Sequence, residues 1–217
     1  MFPGMIRPVR LRSMSGLRDT YNQIAKDWHK DHLKDTWWVE GVEKFIRLLA
    51  PGSTILDVGC GDGVRAQYLA DHGFRVHGID ISEEMIKLSQ QNCPSGVFEL
   101  LDMTHLEQVM GTFDAIFAQA SLLHAARAEA EKIVGMFASK LKKGGYCYIA
   151  VKASRENKPD EEDLVENDYG YPYQRFFSYY SREDIRRYFK ASKLKIVSMT
   201  EVVLPRTTWI QMVGKKV

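Results

Sequence analysis

Ile55 to Gly63 reads ILDVGCGDG, and this stretch decides the fold class. Ile55, Leu56 and Val58 form a short apolar run, bounded by Pro51 and Gly52 before it and by glycines after it, the pattern of a strand buried on both faces of a parallel sheet. Gly59, Gly61 and Gly63 remove three Cβ atoms from the turn that follows, so the backbone there can take unusual φ angles and press close to a ligand. A buried strand with an acid, Asp57, pouring into such a turn describes one wall of a nucleoside pocket.

Two further runs extend this reading. Val76, His77, Gly78 and Ile79 end in Asp80, where a carboxylate at the C-terminal edge of a strand can accept hydrogen bonds from both hydroxyls of a ribose. Val97 to Leu101 ends in Asp102. Carboxylates at both positions suit a nucleoside whose sugar hydroxyls and exocyclic amine are all donors. The glycines follow G-x-G-x-G and run on into Arg65 and Ala66 without the last glycine of G-x-G-x-x-G, which speaks against a nicotinamide or flavin cofactor.

With these residues in view, the chain resembles the class I S-adenosylmethionine-dependent methyltransferases from about Leu17 to Val151, with a continuation toward the C-terminus. Beyond the glycine motif the resemblance rests on YNQIAKDW at Tyr21 to Trp28, DIS at Asp80 to Ser82, LLDM at Leu100 to Met103, FDAIFAQASLLH at Phe113 to His124 and LKKGGY at Leu141 to Tyr146. It implies S-adenosylmethionine as cofactor and S-adenosylhomocysteine as product. The glycine loop would cradle the methionine part, Asp80 would hold the ribose, Asp102 would meet the adenine amine, and Ala118 and Gln119 would pass beside the sulfonium. Asp57, Ile81 and Met103, inside the same motifs, are assigned to the cofactor with them, and Tyr21 would close over it. The implied fold is α/β: a Rossmann-like, doubly wound, seven-stranded and mostly parallel sheet ending in a C-terminal antiparallel hairpin.

The rest of the chain is compatible with this. Its 217 residues, 45% hydrophobic, suffice for one domain with a substantial core. The longest apolar runs are strand-sized, below the ~20 residues of a membrane helix. A net charge of +2 gives no argument for nucleic acid. Cys60, Cys93 and Cys147 lack C-x-x-C spacing and leave an odd count, which fits reduced thiols in the cytoplasm. His29 and His32, with Asp31 and Asp35 nearby, read as a solvated helix face, and no metal site is expected. Residues 1–18, with four arginines, no acid and early prolines, are expected to form a flexible extension outside a domain at 19–217.

Helical and strand patterns alternate from Asp19 onward, as in a sheet covered on both faces. Val42, Phe45, Ile46 and Leu49 make one helical stripe, and Ile133, Phe137 and Leu141 another, before a break at Gly144-Gly145 and the strand YCYIAV. Ser82 opens a helix, and Ser181 with Asp184 forms a capping-box pattern before another. Two β-rich runs, Leu194 to Leu204 and Thr207 to Val213, flank Pro205 as the terminal hairpin.

Ser154 to Ser181 carries an acidic half followed by seven aromatics from Tyr169 to Tyr180. A connector of this length is expected to act as a lid above the C-terminal edge of the sheet. His124, expected to start a helix over 124–140, is the candidate base if its pKa lies near neutrality; the competing reading is that it packs or caps there. After Gln119 the chain has neither an Asn/Asp-Pro-Pro-aromatic motif nor a Pro-Cys nucleophile, which leaves an O, N or S atom of a small molecule as the expected methyl acceptor. A protein or RNA acceptor and a non-catalytic cofactor-binding module are the alternatives; the basic rim from Arg182 to Lys195 keeps RNA among them, although on a helix it reads most simply as a solvated face.

Overall fold

A computed structural model describes residues 14–217. Five strands and the helices between them follow in alternation: α1 (Met14–His32), α2 (Val39–Ile46), β1 (Thr54–Val58), α3 (Val64–Asp71), β2 (Arg75–Asp80), α4 (Glu83–Asn92), β3 (Val97–Leu100), β4 (Phe113–Gln119), α5 (Arg127–Lys140) and β5 (Leu141–Lys152). A hairpin of β6 (Glu161–Glu166) and β7 (Tyr173–Ser178) comes next, then α6 (Arg182–Ala191), β8 (Leu194–Leu204) and β9 (Thr207–Lys216).

Seven strands form one sheet in the order β3-β2-β1-β4-β5-β9-β8. The pairs from β3 through β5 are parallel, whereas β5–β9 and β9–β8 are antiparallel. Alternation along the strands feeds two apolar layers. Ile55, Phe117 and Tyr148 pack with Val42 and Phe45 of α2 and Leu69 of α3, and Leu56, Ile116 and Ile149 pack with Ile133 and Phe137 of α5 and Phe189 of α6. The chain leaves β1 toward β2 on one side, and β4 lies on the other, so a crevice opens at the C-terminal ends of β1 and β4 where the strand order reverses.

Helix ends follow local chemistry. Ser82 Oγ accepts from the Met85 amide ahead of α4. Ser181 and Asp184 complete a reciprocal box at α6, and Asp184 also accepts from Arg127 at 2.8 Å. The first amide of α5 is satisfied from a distance, by Glu161 of β6 at 2.6 Å.

Four boundaries differ from expectation. Helix α1 starts at Met14, inside the stretch expected to be an extension, because Leu17 reaches the crevice and Arg18 Nε donates to Glu83 at 3.0 Å; residues 1–13 lie outside the described residues. His124 ends a short 3-10 turn (Leu122–His124), and the extended backbone of Ala125 and Ala126 separates it from α5, so it does not start that helix. Strand β5 begins at Leu141, through the expected glycine break, with its register against β4 shifted between Phe113 and Ala115. The segment after β5 is a two-stranded hairpin, paired from Glu161↔Ser178 to Glu166↔Tyr173. It docks on α1 through Thr20 Oγ1 donating to the Gln174 carbonyl at 2.7 Å and Tyr171 Oη donating to Asp27 at 2.8 Å. Two of its acids are paired with arginines: Glu166 with Arg175 and Glu162 with Arg155.

Candidate active site

Glycines set the geometry of the turn after β1. Gly59 has φ +73°, and a Cβ there would lie 2.4 Å from Ser121 Cβ, so only glycine lets this turn touch the segment leaving β4. Gly61, at φ +56°, faces the crevice with nothing nearer its absent Cβ than Trp28 at 4.0 Å. Gly63 serves differently: its Cβ would meet Ser89 Cα at 2.5 Å, so it lets α3 and α4 approach and does not line the crevice.

Asp80 closes the end of β2. One of its oxygens accepts from the Gly61 amide and the other from the Ser82 amide, each at 2.9 Å. Burial pushes its carboxyl up to about 6 against the pull of these bonds. Asp57, 2% exposed, sits deeper; its Oδ2 has no hydrogen-bond partner, and burial, reinforced by Asp80, raises it to about 8. Gln119 leaves both side-chain heteroatoms unpartnered, as does the Ser121 hydroxyl. Asp102 accepts from the Thr104 amide at 2.8 Å and faces the same crevice, with Ile81 and Met103 beside it.

Of the residues singled out from sequence, the crevice thus gathers Tyr21, Asp57, Gly59, Gly61, Asp80, Ile81, Asp102, Met103, Gln119 and His124. Ala118 does not join them. Strand alternation turns it into the layer beneath α5, while Phe117, Gln119 and Ala120 face the crevice. Sequence reading missed Trp28, Trp37, Asp62, Arg65 and Ser121, which also line the crevice. Arg65 lies between the rings of Trp28 and Trp38, 5.7 and 5.5 Å from their centroids, and its Nη1 has no hydrogen-bond partner. His29, expected on a solvated helix face, instead turns inward and pairs with the buried Asp62 at 2.7 Å. Among the described residues no three His, Cys, Asp or Glu side chains converge on a metal position.

His124 is fixed at both nitrogens. The Phe176 carbonyl can only accept, so Nδ1 donates to it at 2.7 Å and Nε2 accepts from Tyr21 Oη at 2.7 Å. Burial lowers the imidazole to about 3, helped by the nearby charge of Arg175 and Lys152, so the near-neutral pKa expected from sequence is not present in this state. Beyond the Tyr21–His124 pair lies a second cavity of about 470 Å³. Trp37 and Trp209, stacked at 4.2 Å, wall one side, and Leu123, Phe177, Lys152 and Arg175 contribute to the rest.

Three carboxylates, one of them with an oxygen that has no hydrogen-bond partner, give the crevice acceptors of the kind the donors of S-adenosylmethionine require. A buried, unpaired Asp57 suits an ammonium, Asp80 a ribose diol and Asp102 an exocyclic amine, while Gly61 leaves room where a Cβ would intrude.

Comparison with known proteins agrees. Residues 25–199 match the model of a methyltransferase domain. Similar curated proteins include an S-adenosyl-L-methionine-dependent Diels-Alderase of Talaromyces variabilis, 39% identical over 50% of this chain and 39% of its own length. Others are a phosphoethanolamine N-methyltransferase of Triticum aestivum, 33% identical over 58% and 26%, and a ubiquinone biosynthesis O-methyltransferase of Chromobacterium violaceum, 28% identical over 61% and 60%. The chain therefore spans less than two thirds of each of these relatives. Among solved structures, magnesium protoporphyrin IX methyltransferase of Synechocystis PCC 6803, with S-adenosylmethionine bound, superposes with a TM-score of 0.74 at 19% identity, covering 97% of this chain and 100% of that one. At that identity the likeness speaks for the fold. No helix among the described residues is long and apolar enough to cross a membrane. The fold, the glycine turn and the matched domain together place this chain in the class I S-adenosylmethionine-dependent methyltransferase family.

Proposed function

We propose that the protein transfers the methyl group of S-adenosylmethionine to an oxygen, nitrogen or sulfur atom of a small molecule. The observation that carries this reading is the junction of two chambers at Tyr21 and His124: a crevice lined by Asp57, Asp80 and Asp102 on one side, and an aromatic-walled cavity on the other. When bound, the cofactor supplies an electrophilic methyl on a sulfonium. Everything else asked of the chain is alignment, exclusion of water and disposal of a proton.

In this arrangement Asp57 holds the ammonium, Asp80 the ribose and Asp102 the adenine amine, while Gln119 and Ser121 offer the nearest unpartnered polar atoms beside them. His124 holds the Tyr21 hydroxyl at the mouth of the acceptor cavity. As the new bond forms, an acceptor O–H or N–H becomes strongly acidic, so even a base as weak as the buried His124 can receive the proton. Tyr21 Oη takes it up while passing its own hydrogen to Nε2, and the resulting imidazolium keeps its Nδ1–H on the Phe176 carbonyl.

Relatives that methylate phosphoethanolamine nitrogen and a ubiquinone precursor oxygen support a small acceptor. The basic residues of α6 support a macromolecular one less well: Arg182 pairs with Glu201, and Arg187 with Asp184 and Glu131. The test is calorimetric binding of S-adenosylhomocysteine followed by turnover against pooled metabolites. Saturable binding with methylated product is expected, and tighter binding of NAD than of S-adenosylhomocysteine would overturn the reading.

A further inference from the structure

The second cavity has a charge imbalance. Its lining includes the cations Arg65, Lys152, Arg175 and Arg206, against Asp35 as its one carboxylate. Two of these cations are accounted for: Arg175 makes a fork with both oxygens of Glu166 at 2.6 Å, and Arg65 lies 3.8 Å from Asp62. Lys152 is different. It stands at the end of β5 with its ammonium 3.6 Å from the centre of the Phe177 ring, and no carboxylate among the described residues lies within ion-pair distance of it. The two nearest candidates are already taken, Glu162 by Arg155 and Tyr179, and Glu166 by Arg175. Arg206, in the turn between β8 and β9, faces the same space and is likewise unpaired among the described residues.

An unpaired, largely buried cation is costly unless a ligand brings the countercharge. Beside Lys152, whose cross-strand partner on β9 is Trp209, the stacked Trp37 and Trp209, with Leu123 and Leu204, form an apolar wall.

We propose that the acceptor is an anion, a carboxylate or phosphate on an apolar body, with its anionic group on Lys152 and Arg206 and its apolar part against the Trp37–Trp209 stack. This rests on the methyltransferase reading and narrows it to a substrate class. It also follows that Glu162 and Glu166, the hairpin acids nearest Lys152, are engaged by Arg155 and Arg175 and do not serve to recruit a cationic acceptor. Burial and the like charge of Arg175 lower Lys152 to about 8, as expected of an ammonium awaiting its partner. The groups facing it are Arg175 and Phe177 from β7, Glu162 and Glu166 from β6, Arg155 and His124. Because the anion needs the charged amine, its binding should weaken as pH rises through about 8.

The test uses the intact protein saturated with S-adenosylhomocysteine, titrated calorimetrically with benzoate, phenyl phosphate and the neutral benzyl alcohol. At least one anion should bind about tenfold or more tightly than the alcohol, a gap corresponding to ~1.4 kcal/mol, and the better of the two identifies the headgroup. Lys152→Met should erase that preference, Lys152→Arg should keep it, and both should bind S-adenosylhomocysteine as the parent does, since Lys152 does not line the cofactor crevice. Arg206→Gln, at an exposed turn, should weaken the preference without risk to folding. Alcohol binding as tight as both anions, or an unchanged preference in Lys152→Met and Arg206→Gln alike, would overturn the proposal. Failure of the methyltransferase reading shows separately, as loss of S-adenosylhomocysteine binding by the parent protein.

Discussion

Asp57 is a buried acid without a hydrogen-bond partner at one oxygen, raised to about 8 in the ligand-free protein. At pH 7 it is mostly protonated, so pairing with an ammonium must expel a proton. Cofactor binding should therefore release close to one proton at neutral pH and tighten as pH rises toward 8, seen as a calorimetric enthalpy that changes with the ionisation enthalpy of the buffer. Asp57→Asn should abolish that buffer dependence and weaken binding by roughly 1 to 3 kcal/mol. His124 titrates in the opposite sense. Its folded pKa, about 3, lies below the unfolded value of 6.5, so the unfolded chain binds more protons between those values and stability is lost as pH falls from about 6.5 toward 3. A His124→Gln variant should flatten that acid limb in chemical denaturation. His124→Ala and Tyr21→Phe should each lower turnover about 10²-fold, and the double variant should cost little more, because the two act through one hydrogen bond. Strictly additive losses would mean independent roles. The acids at strand ends were legible in the sequence, because each ends an apolar run. The protonation state of His124 was not, since it depends on burial by β7, more than fifty residues away.

Elements show why three glycines in one motif are not equivalent. Ala at Gly61 should fold with only the strain of a left-handed residue, about 1 to 2 kcal/mol, and should lose cofactor affinity by intruding on the crevice. Ala at Gly63 drives a Cβ toward the backbone of Ser89 at 2.5 Å, so it should lower Tm through overpacking of about 1 to 3 kcal/mol on top of that strain. Thermal melts beside S-adenosylhomocysteine titrations separate the two outcomes; equal behaviour would refute the distinction. The pattern G-x-G-x-G shows that glycine is needed but not which neighbour requires it. The parity of β4 was likewise hidden: a run as apolar as FDAIFAQA does not say that Gln119 faces the crevice while Ala118 faces the core. What the sequence pattern did give was the alternation of strands and helices expected of an α/β sheet and both helix caps at Ser82 and Ser181.

At the scale of the whole molecule, the crevice is closed by parts the central sheet does not supply. Helix α1 brings Leu17, Tyr21 and Trp28, and the β6–β7 hairpin holds α1 through Thr20 and Tyr171 while presenting Arg175 and the Phe176 carbonyl. If the hairpin is a lid, proteolytic cleavage between Arg155 and Arg175 should slow when S-adenosylhomocysteine and an acceptor are both present; equal cutting with and without them would make it a connector. Length and aromatic content marked this segment in the sequence, but nothing local announced that its two strands pair with each other or that they rest on the first helix. The crevice and the second cavity, proposed to hold donor and acceptor, share Tyr21, Trp28, Trp37, Arg65, Ala120 and His124 as a common partition. A partition that serves two rooms cannot adjust for one occupant without changing the other, so the two affinities must be coupled, and by reciprocity to the same degree in either direction. Calorimetry should accordingly find that a saturating acceptor changes the affinity for S-adenosylhomocysteine by the same factor by which S-adenosylhomocysteine changes the affinity for the acceptor.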